Sequence, residues 1–196
     1  MYIDKALKKQ STSYKRFNIV MIFMFILLPL VVFGLGMNKG IVNSVLIVLE
    51  VAIIVCIVLM KDKISLNYTC ENNTLRLKQG LFKSYRRISC DKIKLIHTEN
   101  KNGDIDLVIV TTSRVGNRQL RLVGRSFLNK YPMAAKEYKK LKKIDPDKNY
   151  FYLVVRNGGY KKYAMLDAIY RNSVTAIYTP DTIENIKVAR SQKEIE

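Results

Sequence analysis

The sequence predicts an α+β membrane protein: a two-helix transmembrane hairpin at the N-terminus, followed by a cytosolic domain of antiparallel β-strands with C-terminal helices. Three observations predict it. Two long apolar runs stand side by side near the N-terminus. The next sixty or so residues alternate apolar and polar positions in short stretches between turn residues. The last part of the chain carries apolar stripes at helical spacing.

The first run belongs to a span predicted over residues 18–36, and from Ile19 to Leu35 it contains no charged or amide side chain. The second span, predicted over residues 41–60, contains one charge, Glu50. At 1.5 Å per residue such runs reach roughly 26–30 Å, the hydrocarbon thickness of a bilayer. Basic residues precede the first run, as they would in a signal peptide. Its apolar core is longer than an h-region, however, no A-x-A site follows, and the second span begins at once. Only Gly36-Met37-Asn38-Lys39-Gly40 joins the spans, which forces adjacent antiparallel helices.

Charge orients the hairpin. Residues 1–17 form a basic segment with Lys5, Lys8, Lys9, Lys15 and Arg16 against Asp4, and Lys61 and Lys63 follow the second span. The link has Lys39 alone, so both termini are expected in the cytoplasm of a multi-pass cell-membrane protein. Glu50 lies midway along the second span, where a charge costs about 2.5–3.5 kcal/mol. Hairpin symmetry sets it level with Leu27, between Phe25 and Pro29. Pro29 cannot donate to the Phe25 carbonyl, which leaves that acceptor to a protonated Glu50. A contact to a second copy of the chain, or a simply tolerated acid, are the other readings of Glu50.

Most of the net charge of +18 falls after residue 60, where 28 basic side chains face 14 acidic ones. A strongly basic domain attracts lipid headgroups, nucleic acid or an acidic partner, and a membrane tether favours the first. Short strands are predicted at Ile64–Tyr68 and Leu75–Lys78 around a turn at Glu71-Asn72-Asn73. Gln79-Gly80 then turns the chain into Leu81–Ile88. Strands at Lys92–His97, Ile105–Val110 and Gln119–Val123 follow, with a loop tip at Asn100–Asp104, for a curled sheet or small barrel.

Within this region Tyr68-Thr69, Gly80, Arg87-Ile88 and the spaced Ile93 and Ile96 carry a resemblance. The stretch NYTCENNTLRLKQGLFKSYRRISCDKIKLIHTE, residues 67–99, resembles the bacterial pleckstrin-homology-like (PH-like) domains that follow paired transmembrane helices. The resemblance covers residues 61–145. It implies a curled sheet closed by a C-terminal helix, used for binding or assembly, with no catalytic residues to carry over.

The closing helix is predicted between Ser126 and Ile144, with Phe127, Tyr131, Ala134, Tyr138 and Leu141 on one face and Pro132 opening its regular part. Lys136, Lys139, Lys140 and Lys143 lie opposite. Most such faces are simply solvated; the functional reading is contact with anionic lipid headgroups or a protein partner, at about 1 kcal/mol per basic residue near a membrane. Residues 146–196 read as an extension packed on this domain. It comprises a strand at Tyr150–Val155 ended by Asn157-Gly158-Gly159, a helix with Tyr160, Tyr163, Leu166, Ile169 and Tyr170 on its stripe, and a helix capped by Thr179. Ile183 and Ile186 continue that last helix before a charged end at Ser191–Glu196.

Enzymatic function has the least support. His97 sits in a strand pattern with no second histidine for a metal, the serines lack nucleophile-elbow glycines, and no phosphate loop or cofactor site is present. Cys56, Cys70 and Cys90 form no CxxC pair and read as reduced thiols. The chain is therefore expected to be a membrane-anchored interaction or scaffold module that binds a protein partner or anionic lipid and is open to homo-oligomerisation. The alternative is a tethered basic domain that senses a ligand or binds nucleic acid, with Arg114, Arg118, Arg121 and Arg125 in one segment and Arg86 and Arg87 before it. Nucleic acid is the less favoured, because no reading helix or base-stacking aromatic is evident.

Overall fold

The computed structural model describes residues 3–36, 40–101, 104–113 and 120–190. Two long helices come first, α1 (Ile3–Gly34) and α2 (Gly40–Ile64). Both are long and apolar enough to cross a membrane, and almost none of their apolar stretch is buried inside the protein. Residues Tyr14, Phe17, Met21, Phe25, Leu28 and Val32 of α1 are half-buried, at steps of three and four. On α2, Asn43, Glu50, Ile53 and Ile57 are half-buried and Leu46 is buried, again at steps of three and four. This is the spacing by which two helices keep one seam facing each other. The basic segment expected at 1–17 is no separate piece: from Ile3 onward it is the opening half of α1.

The remaining chain builds two sheets. The first is an antiparallel meander of β1 (Leu66–Glu71), β2 (Thr74–Gln79) and β3 (Arg86–Ser89). Asn72 and Asn73 both have positive φ, as a two-residue type I′ hairpin demands, and this fixes the β1–β2 register. The strand expected over Leu81–Ile88 is shorter than its alternation implied. Residues 81–85 leave the ladder, and pairing resumes only at Arg86.

The second sheet has the order β6-β7-β5-β4-β8. It comprises β4 (Ile93–Lys101), β5 (Asp104–Thr111), β6 (Arg121–Leu122), β7 (Phe151–Val155) and β8 (Ile177–Tyr178). The strand expected over Gln119–Val123 reduces to two residues; Gln119 lies outside the described residues. The C-terminal extension expected to pack on a finished domain is instead woven into it. The β7 strand sits between β6 and β5, and β8 pairs in parallel with β4. Residue 145 therefore marks no break in the fold.

Helices α3 (Arg125–Lys130) and α4 (Pro132–Ile144) cover one face of this sheet. Phe127, Tyr131 and Ala134 pack there on Leu95, Val108 and Val110. The other face meets the first sheet and helices α5 (Lys161–Asn172) and α6 (Pro180–Ala189) in the main core, which includes Leu75, Leu77, Ile88, Ile96, Leu107, Leu153 and Leu166. With both faces covered, β5 is buried nearly end to end. Ile93 and Ile96 both enter the main core although three residues apart, which a regular strand forbids. A register irregularity between Ile93 and Leu95 places an extra residue on β4 and turns the side chains back.

Helix α6 meets β4 with a polar face. His97 Nδ1 is 2.9 Å from Thr179 Oγ1, Thr179 Oγ1 is 2.8 Å from Thr182 Oγ1, and Asn185 donates to Thr98 Oγ1 at 2.8 Å. Thr179 does stand at the N-cap, but its hydroxyl bonds these side chains rather than the helix's free N–H groups. Consequently Thr182 and Asn185 point inward with Ile186, whereas Ile183, expected on the buried stripe, is exposed. Tyr170, placed on the α5 stripe by its spacing, is likewise exposed and carries Arg190 over its ring at 4.7 Å.

Burial pushes the His97 imidazole below its ordinary value, outweighing the nearby charges of Asp181 and Glu99. The folded chain thus keeps His97 neutral, while the unfolded chain takes up its proton near pH 6.5. This contribution to stability is complete above that pH and is lost as pH falls from it towards the lower folded-state value. Thermal melts taken downward from about pH 7.5 should fall in midpoint through this window. The His97→Gln variant should show a flatter profile there, and parallel profiles would exclude His97 as the cause.

Candidate functional site: the joint between the apolar hairpin and the sheet domain

Both long helices are seated on the sheet domain by one short loop, Asn157-Gly158-Gly159-Tyr160. Its first half receives α2. Asn157 Nδ2 donates to the Asp62 carbonyl at 2.9 Å and to its carboxylate at 3.3 Å, and the Gly158 N–H donates to the Lys63 carbonyl at 2.9 Å. Its second half receives α1, with the Tyr160 N–H donating to Gln10 Oε1 at 3.0 Å. Gly158 at φ +112° lies against Leu66, and Gly159 at φ +51° lies against the Gln10 amide. These glycines are the ones whose Asn-Gly-Gly spacing predicts only the end of a strand.

A third strut comes from the first sheet. Asp62 Oδ1 accepts the Leu81 N–H at 2.8 Å, and the Gly80 N–H reaches the Ser65 carbonyl at 2.8 Å. Gly80, at φ +79°, has Asp62 where a side chain would begin. Beneath α1, Ile3 and Ala6 are buried, and Ile3 joins Ile105, Tyr163 and Val188 in a small core of its own. Burial, then the Asp104 charge, push the Tyr163 phenol up to about 12, so it remains neutral there. The basic side chains Lys5, Lys8, Lys9, Lys15 and Arg16 of α1 all stay exposed. The hairpin and the domain are therefore one packed unit at this end.

The structure leaves Lys136, Lys139, Lys140 and Lys143 exposed on the outer face of α4, as their spacing predicts. Lys140 is shared with Glu137 at 2.8 Å, which reduces the face's free charge. Glu50 lies on the α2 stripe that faces α1, and Phe25 and Pro29 are half-buried on α1. The arginines sort differently from their sequence grouping. Arg86 and Arg121 line one cavity of about 630 Å³, joined by Lys83, Lys130 and Arg156. Arg87 and Arg125 are exposed elsewhere, and Arg114 and Arg118 lie outside the described residues. Sequence reasoning missed Lys83, Lys130 and Arg156 because nothing local marks them as facing the same cavity as Arg86 and Arg121.

Cys70 and Cys90 are free thiols whose sulfurs lie 3.7 Å apart, and burial, then the Cys90 neighbour, push the Cys70 thiol up to about 12. Among the described residues no group of three or more His, Cys, Asp or Glu could hold a metal ion. No family model, curated protein or solved structure matches this chain.

Proposed function

We propose that the chain is a membrane-anchored interaction module, with α1 and α2 crossing the bilayer and both termini cytoplasmic. The observation that carries this reading is the joint. The apolar lengths of α1 and α2 are exposed, whereas the ends expected at the cytoplasmic surface are bonded to the sheet domain. Such an arrangement holds a basic domain in one pose against the bilayer, so that contacts too weak to recruit it can still orient it. Lys136, Lys139, Lys140 and Lys143 are the surface offered to anionic headgroups or an acidic protein partner, and a role in binding fits the PH-like resemblance of residues 61–145. Glu50, on the facing seam of the hairpin, is assigned to a contact within the pair or with a second copy of the chain.

The test uses the full chain, because removing residues 1–60 would uncover Ile105, Tyr163 and Val188 where Ile3 packs. Single cysteines at Asn38 and Lys143 are introduced into a cysteine-free variant and probed with an impermeant maleimide on intact cells. Asn38→Cys should label from outside and Lys143→Cys only after lysis. The converse pattern, or release of the chain by alkaline carbonate, would overturn the reading.

A further inference from the structure

We propose that the cavity between β2, β6, β7 and α3 is a binding site for a phosphate-bearing anion, with Lys83, Arg86, Arg121 and Lys130 supplying the complementary charge. Its volume, about 630 Å³, is that of a small-molecule site. The cations come from three stretches of the chain, Lys83 and Arg86 from one, Arg121 from β6 and Lys130 from α3, and no carboxylate lines the cavity among the described residues. Convergence of like charges from distant parts of a chain raises the energy of the fold, and an anion in their midst reverses the sign.

The cavity is built rather than incidental. Its floor is held by Gln79, a buried side chain that donates to the Val154 carbonyl at 3.2 Å and accepts the Arg156 N–H at 3.4 Å, tying the first sheet to β7. Arg86 is buried, so its planar donor fork is held in place before a ligand arrives. Tyr131 also lines the cavity, and its buried hydroxyl has no hydrogen-bond partner among the described residues, which leaves a donor for a phosphate oxygen. Arg156, also on the cavity wall, reaches Asp106 at 3.7 Å.

The location narrows the source of the phosphate to two. Asn157, on the cavity wall, bonds Asp62, which is two residues beyond Met60, the last apolar residue of the second span. A lipid phosphate at the membrane surface and a soluble phosphate compound both reach this position. Only the lipid source rests on the proposed membrane reading; the site itself does not.

The experiment titrates pyrophosphate into the full chain held in phosphatidylcholine nanodiscs, against chloride at matched ionic strength. Pyrophosphate should raise the melting midpoint by mass action. The exposed pair Arg121→Gln with Lys130→Gln should weaken its affinity by about tenfold or more, as expected for losing charge-assisted hydrogen bonds. The pair Lys92→Gln with Lys187→Gln removes equal charge from exposed positions outside the cavity and should leave affinity unchanged. No shift beyond chloride, or equal weakening in both pairs, would overturn the site. Repeating the titration in discs that contain phosphatidic acid separates the sources. Competition that the Arg121/Lys130 pair abolishes assigns the cavity to a headgroup, and undiminished pyrophosphate binding assigns it to a soluble phosphate.

Discussion

Replacing Asp104 with Ala should destabilise the folded chain by about 3–5 kcal/mol, the range found when one partner of a buried ion pair is removed. The pair is Lys162 of α5 and Asp104 at the start of β5, with Nζ and Oδ2 2.8 Å apart. Its two sides are unequal: the Lys162 side chain is 0% exposed and that of Asp104 is 40% exposed. Without the carboxylate, a charged ammonium is left in the interior with the Arg156 carbonyl, 2.8 Å away, as its remaining hydrogen-bond partner among the described residues. The Ile105 N–H also loses its acceptor, Asp104 Oδ1, at 2.8 Å. Removing the other partner leaves a carboxylate that water already reaches. Lys162→Met, which keeps the buried volume and removes the charge, should therefore cost far less. Denaturant unfolding followed by tyrosine emission is a clean readout, since the chain has no tryptophan. Equal losses for the two variants would show that packing, rather than the stranded charge, sets the cost.

That pair also shows where the sequence stops being legible. The two long apolar helices are read directly from composition, because an apolar run long enough to cross a bilayer is visible without knowing any tertiary partner. Local turn chemistry is equally plain at Asn72-Asn73, and Pro132 opens α4 as its residue type dictates. Non-local pairing is where inference fails. Tyr150–Val155 is recognisable as a strand, yet nothing in its residues says that it inserts between β6 and β5. The three-residue spacing of Ile93 and Ile96 conflicts with strand period and is reconciled only by an irregularity at Lys94. On α6 the hydrophobic stripe misleads because β4 presents His97 and Thr98, so the helix faces them with Thr182 and Asn185. Cavity cations scattered from Lys83 to Arg156 converge only once both sheets are assembled.

The joint supplies the second large effect: Gly158→Ala should destabilise the protein by about 3 kcal/mol, combining backbone strain with overpacking at about 1–3 kcal/mol each. At φ +112° an L-residue is strained whatever space surrounds it. Here there is also no space, because a Cβ would lie 2.5 Å from Leu66 Cβ. That atom is fixed by the β1 backbone and cannot swing aside, so the loop itself must move. When the loop moves, the Gly158 N–H leaves the Lys63 carbonyl and the seat of α2 loosens. Gly159→Ala is the informative comparison, since at φ +51° its new Cβ meets the end of the Gln10 side chain, which can rotate away. It should cost less, at the expense of the Tyr160 bond to Gln10. Maleimide reactivity of a Gln10→Cys probe, half-buried in the joint, distinguishes an open joint from a strained but closed one. Faster labelling in the Gly158→Ala background, together with the lower melting midpoint, would tie domain stability to hairpin seating. An unchanged labelling rate with the same loss of stability would confine the strain to the sheet domain and remove the loop from any role in holding the two together.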